Sequence, residues 1–144
     1  MALVKLQDFV DRAASRPRRK LAVAVAQDED VLLAVKAAVK AGIVEPVLVG
    51  DREAIAAAAA LAGIDITPYT LIHEPDKARA CLAAVRLIRE KQAEILMKGL
   101  VSTGVFVKAI LNKDNGLMTG SLLSHIAFFE TPHYHKLLCV TDAA

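Results

Sequence analysis

Aromatic residues are scarce in this sequence, because they make up only 4% of its 144 residues and tryptophan is absent. The core must therefore be built from aliphatic side chains and alanine, and 55% of the residues are hydrophobic. Such a composition is typical of helices packed against a parallel sheet. The length fits one ordinary domain. We therefore expect an α/β fold.

Long hydrophobic runs are also missing. No apolar stretch reaches the roughly 18 residues that a membrane span needs, and no signal-peptide core follows the start. We therefore expect a cytoplasmic protein that does not bind a membrane. The net charge of +2 is too small to argue for nucleic acid. Six Lys and Arg lie within the first twenty residues. They fit either a basic arm or, as we favour, an amphipathic helix followed by a turn at Pro17.

Cysteine is rare and lacks metal-ligand spacing. Cys81 and Cys139 lie in apolar surroundings, so we expect buried free thiols, with Cys139 in the core rather than acting as a nucleophile. His133 and His135 are two residues apart and His125 precedes them, but no Cys or carboxylate stands near them at ligand spacing. We interpret these histidines as surface residues around a turn and predict neither a metal nor a bound cofactor.

Two glycine-rich phosphate-binding motifs are absent: the sequence contains neither GxGxxG nor GxxxxGK[ST]. What the sequence does contain is an alternation of apolar strands and amphipathic helices. Strands are predicted over Leu21–Ala26, Pro46–Gly50, part of 64–72 and Ile95–Met97, with helices over 3–14, from Asp28 to Gly42, over Asp51–Leu61 and from Pro75 onwards. The alternation predicts parallel strands joined by right-handed crossovers.

The alternation breaks after Leu111. Two further apolar stretches, Ile126–Glu130 and Leu137–Val140, flank a short polar segment and predict a hairpin. We expect the second of these strands to be buried. Because an α/β chain that halts just after a buried strand lacks its following helix, we interpret the sequence as truncated.

The strand-to-helix turn Lys98–Thr103 is the best candidate for chemistry. Backbone N–H groups and the positive end of a helix dipole suit a phosphate at such a turn. Ser102 and Thr103 can cap the helix or donate hydroxyls to an anion, and Lys98 can add charge. The local pattern leaves both ordinary helix capping and anion binding open.

A second hydroxyl-rich segment runs from Thr119 through Gly120 to Ser124, after a turn at Asn115–Gly116. It could wrap an acyl or phosphate group, or be only a loop. Asp142 follows the last predicted strand. It could serve as a general base, a hydrogen-bond anchor or a helix cap.

Three ordered blocks in the last third of the chain resemble the phosphate acetyl/butyryltransferase family, and butyryltransferases most closely. They are Met97–Thr103 with Lys108 and Leu111–Lys113, then Gly116–His125, then Leu138–Ala144. The resemblance implies reversible acyl transfer between an acyl phosphate and coenzyme A, with coenzyme A as a substrate. It also implies a three-layer α/β/α fold like that of isocitrate and isopropylmalate dehydrogenases, usually dimeric, with the site between two domains.

The same resemblance implies roles for individual residues. Ser102 and Thr103 would line the phosphate and acyl site on the turn that also holds Lys98 and Gly99. Lys108 would face coenzyme A. The second lining loop would contribute Thr119, Gly120 and Ser124, and Asp142 is our one predicted catalytic residue. Met118 departs from the family, where an arginine commonly precedes the Thr-Gly pair; Lys98, Lys108 and Lys113 are candidate substitutes.

Members of this family are roughly twice as long, so the resemblance implies that residues 1–144 form the N-terminal portion. We therefore expect half a site, which binds phosphate or coenzyme A weakly and does not complete turnover alone. Two other hypotheses remain: a dehydrogenase of the related fold, and a non-catalytic module that self-associates through apolar patches.

Overall fold

The computed structural model describes residues 3–141. Five helices and six strands are found there. In chain order they are α1 (Leu6–Ala14), β1 (Arg19–Ala24), α2 (Glu29–Lys40), β2 (Val44–Gly50), α3 (Arg52–Leu61), β3 (Thr70–His73), α4 (Lys77–Arg89), β4 (Ile95–Lys98), α5 (Thr103–Ile110), β5 (Ile126–Thr131) and β6 (Tyr134–Thr141). None of the helices in residues 3–141 has the length and apolar character of a membrane span.

Strand β1 lies inside a parallel sheet with the order β3-β2-β1-β4. Leu21 pairs with Pro46 on one side and with Ile95 on the other, so both edges of β1 are hydrogen-bonded. Residues from Leu21 to Ala26 are buried, as the continuous apolar run predicts. The predicted parallel sheet is therefore confirmed.

Helices cover both faces of this sheet. Ala22 and Ala24 of β1 pack in one cluster with Cys81 and Val85 of α4. The alternate residues Leu21 and Val23 pack in the other cluster, against residues of α2 and α3 such as Leu32, Val35 and Ile55. Because successive side chains of a strand point to opposite faces, the two clusters form the two sides of one sheet. The predicted three-layer α/β/α architecture is confirmed.

Polar side chains fix where the helices begin. Asp28 accepts a hydrogen bond from Val31 N, Asp51 accepts from Glu53 N, and Asp76 accepts from Arg79 N. Such caps satisfy amides that the first helical turn leaves unpaired. They bear out Asp28 as a cap and the predicted start of α4 next to Asp76.

The third strand lies at the end of the segment 64–72 in which the sequence predicts it. It spans Thr70–His73. Asp65 accepts hydrogen bonds from the amide and the hydroxyl of Thr67, and Tyr69 N donates to Ile66 O. These local bonds hold residues 65–69 as a turn, which competes with a strand.

The chain divides into two compact units, where its length led us to expect one domain. Residues 18–119 form the parallel-sheet unit, and residues 3–17 together with 120–141 form the hairpin unit. In the hairpin unit β5 and β6 pair antiparallel, which confirms the predicted hairpin. Helix α1 contacts this hairpin: the Phe9 and Phe128 rings lie 5.2 Å apart, and Leu6 N donates to Glu130.

The prediction that the last strand is buried is wrong. Leu137 and Leu138 are half-buried, while Cys139 and Val140 are exposed. Strand β6 pairs with β5 in a two-stranded sheet and is not part of the parallel sheet. A two-stranded sheet with one nine-residue helix against it encloses far less apolar surface than a strand covered by helices on both faces.

Candidate functional site

The candidate site lies where the parallel sheet changes its winding direction. From β1 the chain moves outward on one side through β2 and β3, and then returns to the opposite side of β1 as β4. Open α/β sheets bind ligands in the crevice at the carboxyl ends of the strands that flank such a switch point. Here those strands are β1 and β4, and the predicted turn Lys98–Thr103 follows β4.

Gly99 holds this turn tightly against the end of β1. Its amide donates to Ala24 O at 2.8 Å, and Leu100 N donates to Val25 O at 2.8 Å. A Cβ atom on Gly99 would lie 2.2 Å from Val25 O and 2.7 Å from Ala24 O. These neighbours are backbone atoms of a buried strand and have little room to retreat. A glycine is therefore required here because of close backbone approach.

Lys98 is bonded within its own turn. Its ammonium donates to Val101 O at 2.9 Å and to Gly99 O at 3.4 Å. Two of the three N–H donors of the ammonium are used by these carbonyls. Lys98 thus places a positive charge at the turn and at the same time holds the turn in shape.

Ser102 is the N-cap of α5, and Thr103 is the first residue of that helix. The Ser102 hydroxyl accepts a hydrogen bond from Val105 N at 3.3 Å. Both side chains are exposed, and they stand at the positive end of the helix dipole. Capping is thus present in the structure, and the same exposed end can also meet an anion.

The end of β1 contains two features that the sequence analysis missed. Val25 is fully buried and has a φ of +61°, which is rare for a β-branched residue and costs about 1–3 kcal/mol. Gln27 lies against Gly50 at the end of β2, and its Oε1 atom is buried without a hydrogen-bond partner among the described residues. In the sequence, the only sign of these features is a polar residue, Gln27, just past a buried strand. The sequence analysis assigns that segment to the start of the helix capped by Asp28.

The other predicted residues are spread over the chain. Lys108 is exposed in the last turn of α5, six residues or about 9 Å along the helix axis from Ser102. Thr119 is exposed at the end of the parallel-sheet unit, whereas Gly120 and Ser124 belong to the hairpin unit. Asp142 lies outside the described residues. The structure therefore brings together Lys98, Gly99, Ser102 and Thr103.

The two thiols differ in their surroundings. Cys81 is fully buried between α4 and the sheet, and this burial raises the pKa of its thiol, with the nearby Lys98 charge acting in the opposite direction. Cys139 is exposed, so the prediction that it belongs to the core is wrong. The reason is its position on the sparsely covered hairpin. Over residues 3–141, no three His, Cys, Asp or Glu side chains are grouped to hold a metal.

A groove of about 660 Å³ runs along α4, but it contains no predicted site residue. Three of its lining residues are Arg79, Arg86 and Arg89. The first two form ion pairs with glutamates, and the third donates to a backbone carbonyl. These arginines are already engaged in structural contacts, so we assign no function to this groove.

An open parallel α/β sheet with a polar turn at its switch point defines a class of proteins that bind small molecules at the carboxyl ends of their strands. The chain belongs to one family within this class, the phosphate acetyl/butaryl transferases, whose family model matches residues 5–81. The family predicted from the last third of the sequence is therefore confirmed, and the match lies in the first two thirds.

Individual relatives extend the similarity over nearly the whole chain. Phosphate butyryltransferase of Clostridium acetobutylicum is 43% identical over 137 residues, which are 95% of this chain and 46% of that protein. A probable phosphate butyryltransferase of Bacillus subtilis is 35% identical over 142 residues, 98% of this chain and 46% of that protein. The chain thus spans about half the length of the curated relatives it matches.

A solved structure shares the fold. The crystal structure of a branched-chain phosphotransacylase from Enterococcus faecalis matches with a TM-score of 0.65 and 25% sequence identity, covering 88% of this chain and 42% of that chain. This match supports the same three-layer architecture independently of the family model.

Proposed function

We propose that this chain is the N-terminal portion of a phosphate acyltransferase, which moves a butyryl or similar short acyl group reversibly between coenzyme A and inorganic phosphate. The observation that carries the proposal is the 43% identity to a phosphate butyryltransferase over 95% of the chain. The β4–α5 turn supports it, because a helix N-terminus flanked by Lys98, Ser102 and Thr103 suits a phosphate group.

In the proposed reaction the thiolate sulfur of coenzyme A attacks the acyl carbonyl carbon of the acyl phosphate. The carbon–oxygen bond to the phosphate then breaks, and inorganic phosphate leaves with the electron pair. A thiol with a pKa of about 8.5 must first give its proton to a base near neutral pH. Asp142 is our candidate for this base or for a hydrogen-bond anchor beside it.

The turn would act mainly on the phosphate side of this reaction. Charge that develops on the phosphate oxygens is stabilised by a helix dipole and by donors already held in place. The hydroxyls of Ser102 and Thr103 and the Lys98 ammonium are such donors. Lys108, Thr119, Gly120 and Ser124 would contact the coenzyme and the acyl group, and coenzyme A is a substrate rather than a bound cofactor.

We propose further that the 144-residue chain binds phosphate, as such or within an acyl phosphate, or coenzyme A weakly but does not complete turnover by itself. It spans about half the length of its relatives, and the rest of the site would be supplied by the other half. Homo-oligomerisation and a cytoplasmic location belong to the same proposal.

Two assays on the purified chain test this account. Thermal melting should shift upward with butyryl phosphate, because a ligand that binds only the folded state stabilises it. Coenzyme A added to butyryl phosphate should release no phosphate. Steady release of phosphate would refute the claim of incomplete turnover. A melting temperature that responds to NAD alone would favour the dehydrogenase hypothesis, and one that responds to no ligand would favour the assembly module.

A further inference from the structure

Gln27 is a polar side chain that the proposed mechanism does not use. It is the third residue after β1, at the carboxyl edge of the sheet. Its Oε1 atom is the one buried side-chain nitrogen or oxygen that lacks a hydrogen-bond partner within residues 3–141. The residue as a whole is only partly buried, and its Nε2 atom does not share that enclosed state. The amide therefore has one enclosed end and one open end.

Gly50 creates the space for this amide. A Cβ atom on Gly50 would lie 2.2 Å from Gln27 Oε1 and 3.3 Å from Ala26 N. The backbone of Gly50, against which the amide packs, is itself held in place, because Gly50 O accepts a hydrogen bond from Glu74 N at 2.9 Å. The Gln27 side chain thus rests on the backbone of a rigid strand end.

Val25 connects this amide to the β4–α5 turn. Its left-handed backbone conformation redirects the chain just after β1. Two hydrogen bonds hold the backbone around Val25 in place. Leu100 N, from the turn, donates to Val25 O at 2.8 Å, and the next residue, Ala26, donates its N–H to Val49 O at 3.1 Å. Backbone strain of this kind concentrates at functional sites, where the surrounding structure maintains it.

An apolar side chain of similar shape would leave no oxygen buried without a hydrogen-bond donor and would therefore stabilise the fold at least as well. Stability alone does not explain a glutamine at position 27. We propose that Gln27 is a ligand-binding residue, whose open amide N–H donates to a carbonyl oxygen of a substrate seated at the β4–α5 turn. The inference rests on the proposed function. Phosphate itself has no carbonyl group, and the carbonyl of an acyl phosphate is bonded directly to the bridging oxygen of its phosphate. The acceptor therefore belongs to a pantetheine amide of coenzyme A, which lies farther from the reacting atoms.

The spacing of the strands limits which ligands can reach both places. Gln27 lies over the end of β2, and the turn follows β4, with β1 between them. Neighbouring strands are about 4.8 Å apart, so two spacings amount to about 10 Å. The long pantetheine arm of coenzyme A can span this distance, whereas inorganic phosphate and the carbonyl group of butyryl phosphate cannot.

Gln27→Met is the variant that tests this proposal, because methionine has a similar length and no amide. Calorimetric titration of the 144-residue chain would use butyryl phosphate, coenzyme A and inorganic phosphate as separate ligands. We expect the dissociation constant for coenzyme A to rise about five- to tenfold, as for loss of one hydrogen bond. The dissociation constants for phosphate and butyryl phosphate should not change, and the melting temperature without ligand should stay the same or rise.

The matched control is Gln92→Met, the same change in the segment before β4, at the opposite end of the strands. It should leave all three dissociation constants unchanged. Unchanged affinities in Gln27→Met, or a lower melting temperature with no change in affinity, would overturn this inference alone. If the wild-type chain binds none of the three ligands, the proposed function fails and this inference fails with it.

Discussion

At the scale of single residues, the contact between Gly99 and Val25 determines the shape of the candidate site. Gly99 directly follows β4 and Val25 directly follows β1, and their backbones touch without any side chain between them. A Cβ atom at position 99 would meet carbonyl oxygens that are themselves held by the sheet.

Gly99→Ala should therefore destabilise the chain by about 1–3 kcal/mol, the usual cost of forcing extra volume into a packed site. Chemical denaturation measures this free energy of unfolding. The control is Gly104→Ala, where an added Cβ meets nothing within 4 Å. That change should be neutral or stabilise by up to about 1 kcal/mol, because glycine is a poor helix residue. Equal losses in the two variants would contradict the close contact.

The two cysteines should react very differently with a thiol reagent. Cys81 is fully buried and its thiol pKa is raised by that burial, so it holds less of the reactive thiolate, whereas Cys139 is exposed. In the folded chain at pH 8 we expect one thiol to react quickly, and two after denaturation. Cys139→Ser should remove the fast reaction. Two fast thiols in the folded wild type would contradict the structure.

At the scale of the elements, Glu94 links the amino ends of β1 and β4. Its carboxylate accepts a hydrogen bond from Lys20 N at 2.7 Å and pairs with Arg19 at 3.2 Å. The backbone hydrogen bond from Lys20 and then the bond from Arg19 hold the pKa of Glu94 below its ordinary value. A carboxylate with a lowered folded-state pKa stabilises the fold above its unfolded-state pKa, and this contribution is lost as the pH falls further.

Glu94→Gln should therefore lower the melting temperature at pH 7 and have a smaller effect at pH 3, below the ordinary glutamate pKa of about 4.3. Melting curves at the two pH values measure the difference. Glu45→Gln, the same change at an exposed position on β2, is the matched control and should alter the melting temperature little. A Glu94→Gln effect that is the same at both pH values would show that the carboxylate charge makes no contribution.

Most elements could be predicted because their signals are local. The apolar run of β1, the stripe of α2 and the caps at Asp28 and Asp76 act within a few residues of chain. The position of β3 within residues 64–72 depended on side-chain bonds around Asp65 that periodicity does not reveal. The apolar composition of β6 alone suggested a buried strand. The exposure of Cys139 could not be predicted because it depends on which strand pairs with β6.

At the scale of the whole molecule, the position of the site is a consequence of strand order. The sequence predicts four parallel strands but not that β4 returns to the far side of β1, which creates the switch point. The hydroxyls of Ser102 and Thr103 were predicted from local pattern and from the family resemblance. Gln27 was not, because its surroundings depend on how closely β1 and β2 approach at Gly50.

The central claim is that the β4–α5 turn of this chain binds the phosphate of an acyl phosphate. Calorimetric titration with butyryl phosphate, comparing the wild type with Ser102→Asp, tests it most directly. Aspartate caps a helix as well as serine does, so the variant should melt at the wild-type temperature or above. Its negative charge would repel the ligand. We predict saturable binding to the wild type and at least tenfold weaker binding to Ser102→Asp; equal affinities, or no binding to the wild type, would contradict the claim.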